Sequence, residues 1–166
     1  METVYFNGQE VHTYGTVPAV GSKAPDFELT KADLSPVTLD SLKGHKVVLN
    51  VFPSLDTPVC AASVRRFNKE ASEHKDVAVV CVSEDLPFAI SRFCTIEGLD
   101  KVIGASAFRS PEFAKEYGLE IVDGPLKGLL ARAVIIIDKD GKVIYRELVD
   151  EITHEPDYEA AKAVLA

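Results

Sequence analysis

The spacing of hydrophobic positions changes several times along the chain, and each change marks an element. At the start, Thr3-Val4-Tyr5-Phe6 and Glu10-Val11-His12-Thr13-Tyr14 alternate on either side of Asn7-Gly8. Asn-Gly accepts the positive φ angles of a type I′ turn, so this segment predicts a β-hairpin. The stretch from Gly15 to Pro25 is rich in Gly, Pro and small residues and predicts a loop. Phe27 to Thr30 and Val37 to Leu39 alternate as a second short strand pair, and Asp40 to Gly44 reads as one helical turn stopped by glycine. From Lys46 to Phe52 the pattern becomes a continuous β-branched apolar run, as in a strand covered on both faces.

Helical and strand patterns then alternate. Helices are predicted from Pro58 to about His74, from Leu86 to about Thr95 and from Pro111 to Tyr117. Between them, Val77 to Val82 reads as a buried strand and Lys101 to Ile103 as a short one. Ala133 to Ile137 and Lys142 to Glu147 are strands whose joint, Asp138-Lys139-Asp140-Gly141, carries a turn signal, so they should pair antiparallel. A last helix is expected over Pro156 to Leu165, with Pro near its first position. A β-α-β-α-β series followed by a hairpin and a helix predicts an α/β sandwich with a mixed central sheet flanked by helices. Right-handed crossovers make its first two long strands parallel neighbours. Thioredoxin-like domains use this arrangement. With no repeat, linker or low-complexity segment, residues 1–166 are expected to form one domain.

Charge and cysteine content narrow the function. Eighteen Lys and Arg stand against 26 Asp and Glu, a net charge of −8 without a basic block, which argues against nucleic-acid and anionic-membrane binding. No apolar run approaches the roughly 18 residues a membrane span needs. The N-terminus lacks the basic and apolar regions of a secretory signal. The cysteines, at 60, 81 and 94, are odd in number and lack zinc-like spacing, so a structural disulfide framework is not expected and a reducing, cytoplasmic location is. His12, His45, His74 and His154 are scattered and form no metal-ligand spacing; no phosphate-binding glycine loop and no G-x-S-x-G is present.

The segment that invites chemistry joins the first buried strand to its helix: Pro53-Ser54-Leu55-Asp56-Thr57-Pro58-Val59-Cys60. Asp56 or Thr57 can cap the helix, and Pro58 suits its first position. Cys60 then falls in the first turn, near N–H groups without helical acceptors and at the positive end of the dipole, where a thiolate is favoured over a thiol. Against this, Cys60, Val64, Phe67 and Ala71 also form an apolar stripe, as a buried structural cysteine would. Cys94 continues the stripe Leu86, Ala89, Ile90 and Phe93 and poses the same choice; whether its helix shares a sheet face with that of Cys60 is not fixed by sequence. Cys81, inside Val-Ala-Val-Val-Cys-Val, reads as a buried structural thiol. Arg132 leads into a fully apolar strand and needs a partner. Spacing does not choose between an ordinary carboxylate and a thiolate whose charge it would stabilise.

Pro53 to Cys60 matches the P-x-x-x-T-x-x-C signature and resembles the peroxiredoxin family. The wider context, including Ala61-Ala62-Ser63-Val64-Arg65, Ser91-Arg92-Phe93-Cys94, Leu130-Ala131-Arg132-Ala133-Val134 and the tail Glu151-Ile152-Thr153 with Glu155-Pro156-Asp157-Tyr158, is similar to its atypical two-cysteine branch, the bacterial thiol peroxidases. The resemblance implies roles. Cys60 would be the peroxidatic cysteine, Pro53 its shield from water, and Thr57 a hydroxyl that bonds thiolate and peroxide. Arg132 would hold thiolate and peroxide oxygens, and Cys94 would be the resolving cysteine of the same chain. Cys81 has no implied role. Pro58 departs from the small residue many relatives have there. The implied activity is reduction of hydrogen peroxide and alkyl hydroperoxides through a Cys60 sulfenic acid and a Cys60–Cys94 disulfide, recycled by thioredoxin. It needs no metal or organic cofactor, and the family is expected to be a homodimer. Two rivals share the fold. A disulfide oxidoreductase would need C-x-x-C, where this chain has Thr57. A sensor domain would be oxidised once without turnover.

Overall fold

The computed structural model describes residues 1–165. The strands are β1 (Glu2–Phe6), β2 (Gln9–Thr13), β3 (Glu28–Lys31), β4 (Pro36–Thr38), β5 (Lys46–Val51), β6 (Val77–Ser83), β7 (Ile103–Ser106), β8 (Ala133–Ile137) and β9 (Val143–Leu148). The helices are α1 (Pro58–Glu73), α2 (Pro87–Glu97), α3 (Pro111–Glu116) and α4 (Tyr158–Leu165), with a 3-10 turn at Asp40–Leu42. Strands β1 and β2 form the expected hairpin; the other seven form one mixed sheet in the order β4-β3-β7-β6-β5-β8-β9. Strand β5 runs parallel to β6 and antiparallel to β8, and β9 is antiparallel to β8.

Side chains of the central strands alternate between two apolar layers, as a period of two requires. Val48 of β5, Val79 and Cys81 of β6, and Val134 and Ile136 of β8 face one layer, built with Cys60, Val64 and Phe67 of α1, Ile90 of α2 and Ala161 and Leu165 of α4. Val47, Leu49, Val51, Val80, Val82, Ile135 and Ile137 face the other, with α3 and the hairpin residues Val4 and Val11. Helices α1 and α2 therefore lie on the same face of the sheet, a relation that spacing along the chain does not fix.

Several boundaries differ from expectation. The strand expected at Lys101 to Ile103 is displaced to Ile103–Ser106. Gly104, Ala105 and Ser106 carry little strand propensity, but α2 presses so closely that a Cβ at Gly104 would collide with Ile90. Leu86 is the residue before α2 and not its first turn. Helix α4 starts at Tyr158, after Asp157, whose carboxylate accepts the Ala160 N–H at 3.0 Å; Pro156 lies outside the helix. Between Gly118 and Arg132, an isolated bridge from Thr13 to Ile121 ties the hairpin to this segment, and a second, Glu120 to Leu130, closes the segment on itself. Among the described residues no helix is long and apolar enough to cross a membrane.

Candidate active site

The site forms where β5 and β6 end and α1 begins, a place at which α/β sheets expose backbone donors. After Val51 the chain makes one more sheet bond, Phe52 N–H to Val82 carbonyl at 3.1 Å, and turns through buried Pro53. Asp85, just beyond β6, anchors the turn. Its carboxylate accepts the Ser54 hydroxyl at 2.8 Å, the Leu55 N–H at 2.8 Å and the Ser83 hydroxyl at 2.7 Å. Asp85 and Ser54 do not stand out in the sequence; the available signal is a Ser-x-Asp at the end of a buried parallel strand.

Thr57 occupies the residue before α1 and Pro58 its first position, as expected, but no side chain caps the helix. The Thr57 hydroxyl donates to the Ser54 carbonyl at 3.1 Å and its side chain is exposed. The structure thus does not bring Thr57 to the Cys60 sulfur; the tight Ser54–Thr57 turn takes its donor. With no cap, the N–H groups of Val59 and Cys60 lack a helical acceptor.

Cys60 has no exposed surface. Its sulfur is 3.1 Å from Nη2 of Arg132. Arg132 is also buried, and its Nε donates to the Ile152 carbonyl at 2.7 Å. Its partner is therefore a cysteine and a backbone carbonyl, not a carboxylate. Its Nη1 is buried without a hydrogen-bond partner among the described residues. The guanidinium sets a fixed positive charge directly beside the buried sulfur. From below, Asn50 of β5 donates through Nδ2 to the Ser63 hydroxyl at 3.3 Å, and that hydroxyl donates to the Cys60 carbonyl at 2.8 Å. The first turn of α1 is thus held by a buried polar cluster.

The other cysteines are free. Cys81 is wholly buried, 3.7 Å from Asn50 Nδ2, and burial pushes its thiol up to about 12, so it stays protonated. Cys94 is half-buried in the last turn of α2, and burial pushes its thiol up as well. Cys94 and Cys81 line a small apolar cavity with Phe52, Leu55, Val64 and Ile90; Cys60 does not reach it. A surface cleft lined by Lys23, Leu42, His45, Asp138 and neighbours lies at the opposite end of β5 and contains no cysteine. The buried Cys60 cluster is the stronger candidate, since a nucleophile paired with a cation needs only a small opening.

The redoxin family model matches residues 19–162. The chain is 52% identical over 165 residues to the thiol peroxidase of Mycobacterium tuberculosis (strain H37Rv), covering 99% of each chain. It is 49% identical, over the same share of both chains, to the thiol peroxidase of Corynebacterium glutamicum. Among solved structures it is similar to a peroxiredoxin-like protein from Aquifex aeolicus, with a TM-score of 0.93, 42% identity and coverage of 98% of this chain and 95% of that one. A buried cysteine at a helix start, an arginine on its sulfur and full-length identity of this degree together place the chain in the redoxin family, among the thiol peroxidases, which are peroxidase oxidoreductases.

Proposed function

We propose that the chain reduces hydrogen peroxide and organic hydroperoxides by using Cys60 as nucleophile, Cys94 as resolving thiol and thioredoxin as reductant. The observation that carries this reading is the 3.1 Å approach of Arg132 to a fully buried Cys60 sulfur. The Cys60 thiolate attacks one peroxide oxygen and the O–O bond breaks. The other oxygen takes up a proton and leaves as water or alcohol, and Cys60 becomes a sulfenic acid. Charge grows on both oxygens during this displacement. The unpartnered Nη1 of Arg132 and the uncapped N–H groups of α1 are donors suited to them. Thr57, exposed where α1 begins, adds its hydroxyl by rotating away from the Ser54 carbonyl. Pro53, buried beside the turn, keeps water from the sulfur.

The Cys94 sulfur then attacks the sulfenic sulfur, an S–S bond forms and water departs. The resulting disulfide is reduced by exchange with a dithiol protein. Cys60 faces Arg132 while Cys94 lines a cavity that Cys60 does not reach, so backbone must move before a disulfide can close. The first turn of α1 and the last turn of α2 are helix ends, which open at lowest cost. In this reading the enzyme works as a homodimer in the reducing cytoplasm, as its family suggests. The test is consumption of cumene hydroperoxide in the presence of thioredoxin, thioredoxin reductase and NADPH. Continuous NADPH oxidation is expected. A single stoichiometric oxidation without turnover would instead mark a sensor.

A further inference from the structure

The N-terminal hairpin lies outside the main sheet, and a two-stranded hairpin is marginal by itself. What it grips is the segment after β9 that holds Arg132. Tyr5 N–H donates to the Asp150 carbonyl at 2.7 Å, and Ile152 N–H donates to the Tyr5 carbonyl at 2.8 Å. Val149 N–H donates to the Arg132 carbonyl at 3.0 Å, so this segment touches both the backbone and the guanidinium of Arg132. At its centre is Glu151. One carboxylate oxygen accepts the Gly8 N–H at 2.8 Å from the hairpin turn. The other accepts Asn7 N–H at 3.2 Å, Thr153 N–H at 3.1 Å and the Thr153 hydroxyl at 3.0 Å.

One peptide unit connects the carboxylate to the chemistry. In the planar unit between Ile152 and Thr153, the N–H and the C=O point in opposite directions. The N–H is bound by Glu151 and the C=O accepts Nε of Arg132 at 2.7 Å. A carboxylate on the N–H side fixes the tilt of that peptide and polarises its carbonyl toward the guanidinium. We propose that Glu151 is a positioning residue for Cys60 chemistry, clamping the N-terminal hairpin onto the Ile152–Thr153 peptide and thereby aiming Arg132 at the sulfur. This rests on the role given to Arg132 above. The carboxylate keeps its charge throughout. The Thr153 N–H foremost, with the Gly8 N–H, the Thr153 hydroxyl and the Asn7 N–H, lowers its pKa to about 2, so it is ionised at any pH the enzyme meets. The turn Asn7-Gly8 thus serves as an acceptor-seeking end, two backbone N–H groups offered to one side chain 143 to 144 positions away.

The test is stopped-flow kinetics that separate peroxide reaction from disulfide formation. Glu151→Ala should slow the peroxide step about tenfold, less than the roughly 10²–10³ expected for loss of a direct donor, and leave the disulfide-forming step at its wild-type rate. Glu151→Gln, which keeps length and one acceptor, should give a smaller loss and guards against a variant that fails to fold. In an Arg132→Lys background, Glu151→Ala should cause no further loss, since it acts through the guanidinium. Val37→Ala, a core change in β4, sets the effect of general destabilisation and should leave the peroxide step unchanged. A wild-type peroxide step in both Glu151 variants, an additive loss on Arg132→Lys, or an equal loss in Val37→Ala would each overturn the clamp. A wild-type rate in Arg132→Lys alone would overturn the reading of Arg132 and the clamp with it.

Discussion

The start of α1 and the end of α2 hold the two thiols assigned to the reaction, and they are built by opposite rules. Cys60 has no exposed surface, yet polar groups converge on it: Arg132 on its sulfur, Ser63 on its carbonyl with Asn50 behind Ser63, and Asp85 anchoring the loop before it. Cys94 is half-buried among apolar side chains, and burial alone pushes its thiol up. Its helix presents Phe88 and Ile96 to solvent and is joined to α1 and its preceding loop by the ion pairs Arg65–Glu97 at 3.2 Å and Arg92–Asp56 at 3.9 Å. Exposed pairs of this kind contribute about 0–1 kcal/mol. In the proposed reaction the difference separates two demands. Attack on peroxide needs charge held in a fixed place, whereas resolution needs a thiol on a segment that yields cheaply.

Breaking that division outright should have the largest effect. Cys60→Ser is expected to abolish peroxide reduction. Cys94→Ser should keep the first oxidation but end thioredoxin-linked turnover, leaving a sulfenic acid that mass spectrometry detects after dimedone trapping. Cys81→Ser, at a site whose thiol stays protonated, should turn over nearly as wild type. Equal losses in all three would erase the distinction between the two regions. Next in size, Arg132→Lys keeps the charge but loses the planar fork that spans the sulfur and the Ile152 carbonyl. The peroxide step should fall by roughly 10²–10³ with the circular dichroism spectrum retained.

The α2 side can be loosened without touching Cys60. A Cβ at Gly104 would collide with Ile90 and come within 3.6 Å of the Cys94 sulfur, so Gly104→Ala should cost about 1–3 kcal/mol in denaturant unfolding. Amide exchange across 90–97 should quicken, while the peroxide step stays unchanged. The smallest effect belongs to the hairpin's other attachment. His12 bonds Asp123 at 2.6 Å and Glu10 at 2.9 Å, and these bonds raise its proton affinity above the ordinary 6.5. A raised folded value contributes stability that is fully present below 6.5 and is lost as pH rises through the folded value. The melting temperature should therefore drift down as pH rises from 6.5 through the folded value in wild type, and the drift should flatten in His12→Gln.

Much of this arrangement is legible in the chain because local signals agree. Asn7-Gly8, the apolar run of β5 and the Pro58 start of α1 each place an element where the structure has it. Strand β7 lies beyond its expected position because the residues it uses, Gly104 to Ser106, suit closeness to α2 and not strand propensity. The partner of Arg132 is not legible, since a guanidinium at a strand start can meet any acceptor the fold delivers. The Thr57 hydroxyl is expected on the sulfur from the resemblance, but its direction depends on a turn geometry in which the Ser54 carbonyl takes it. Glu151 looks in sequence like one more solvated acid; only the return of the chain beside the hairpin makes it a four-bonded anchor.

The 72-residue separation of Cys60 and Arg132 has a consequence for biogenesis. On the ribosome, β5, α1, β6 and α2 are all synthesised before Arg132 exists, and the Ile152 carbonyl that steadies it comes 20 residues later still. Insertion of β8 against β5 is a long-range closure, late by the loop entropy it must overcome. Until it happens Cys60 has no guanidinium beside it. In the proposed reading the nascent chain thus carries Cys60 without the cation assigned to activate it, and sensitivity to oxidant is acquired only with the finished sheet.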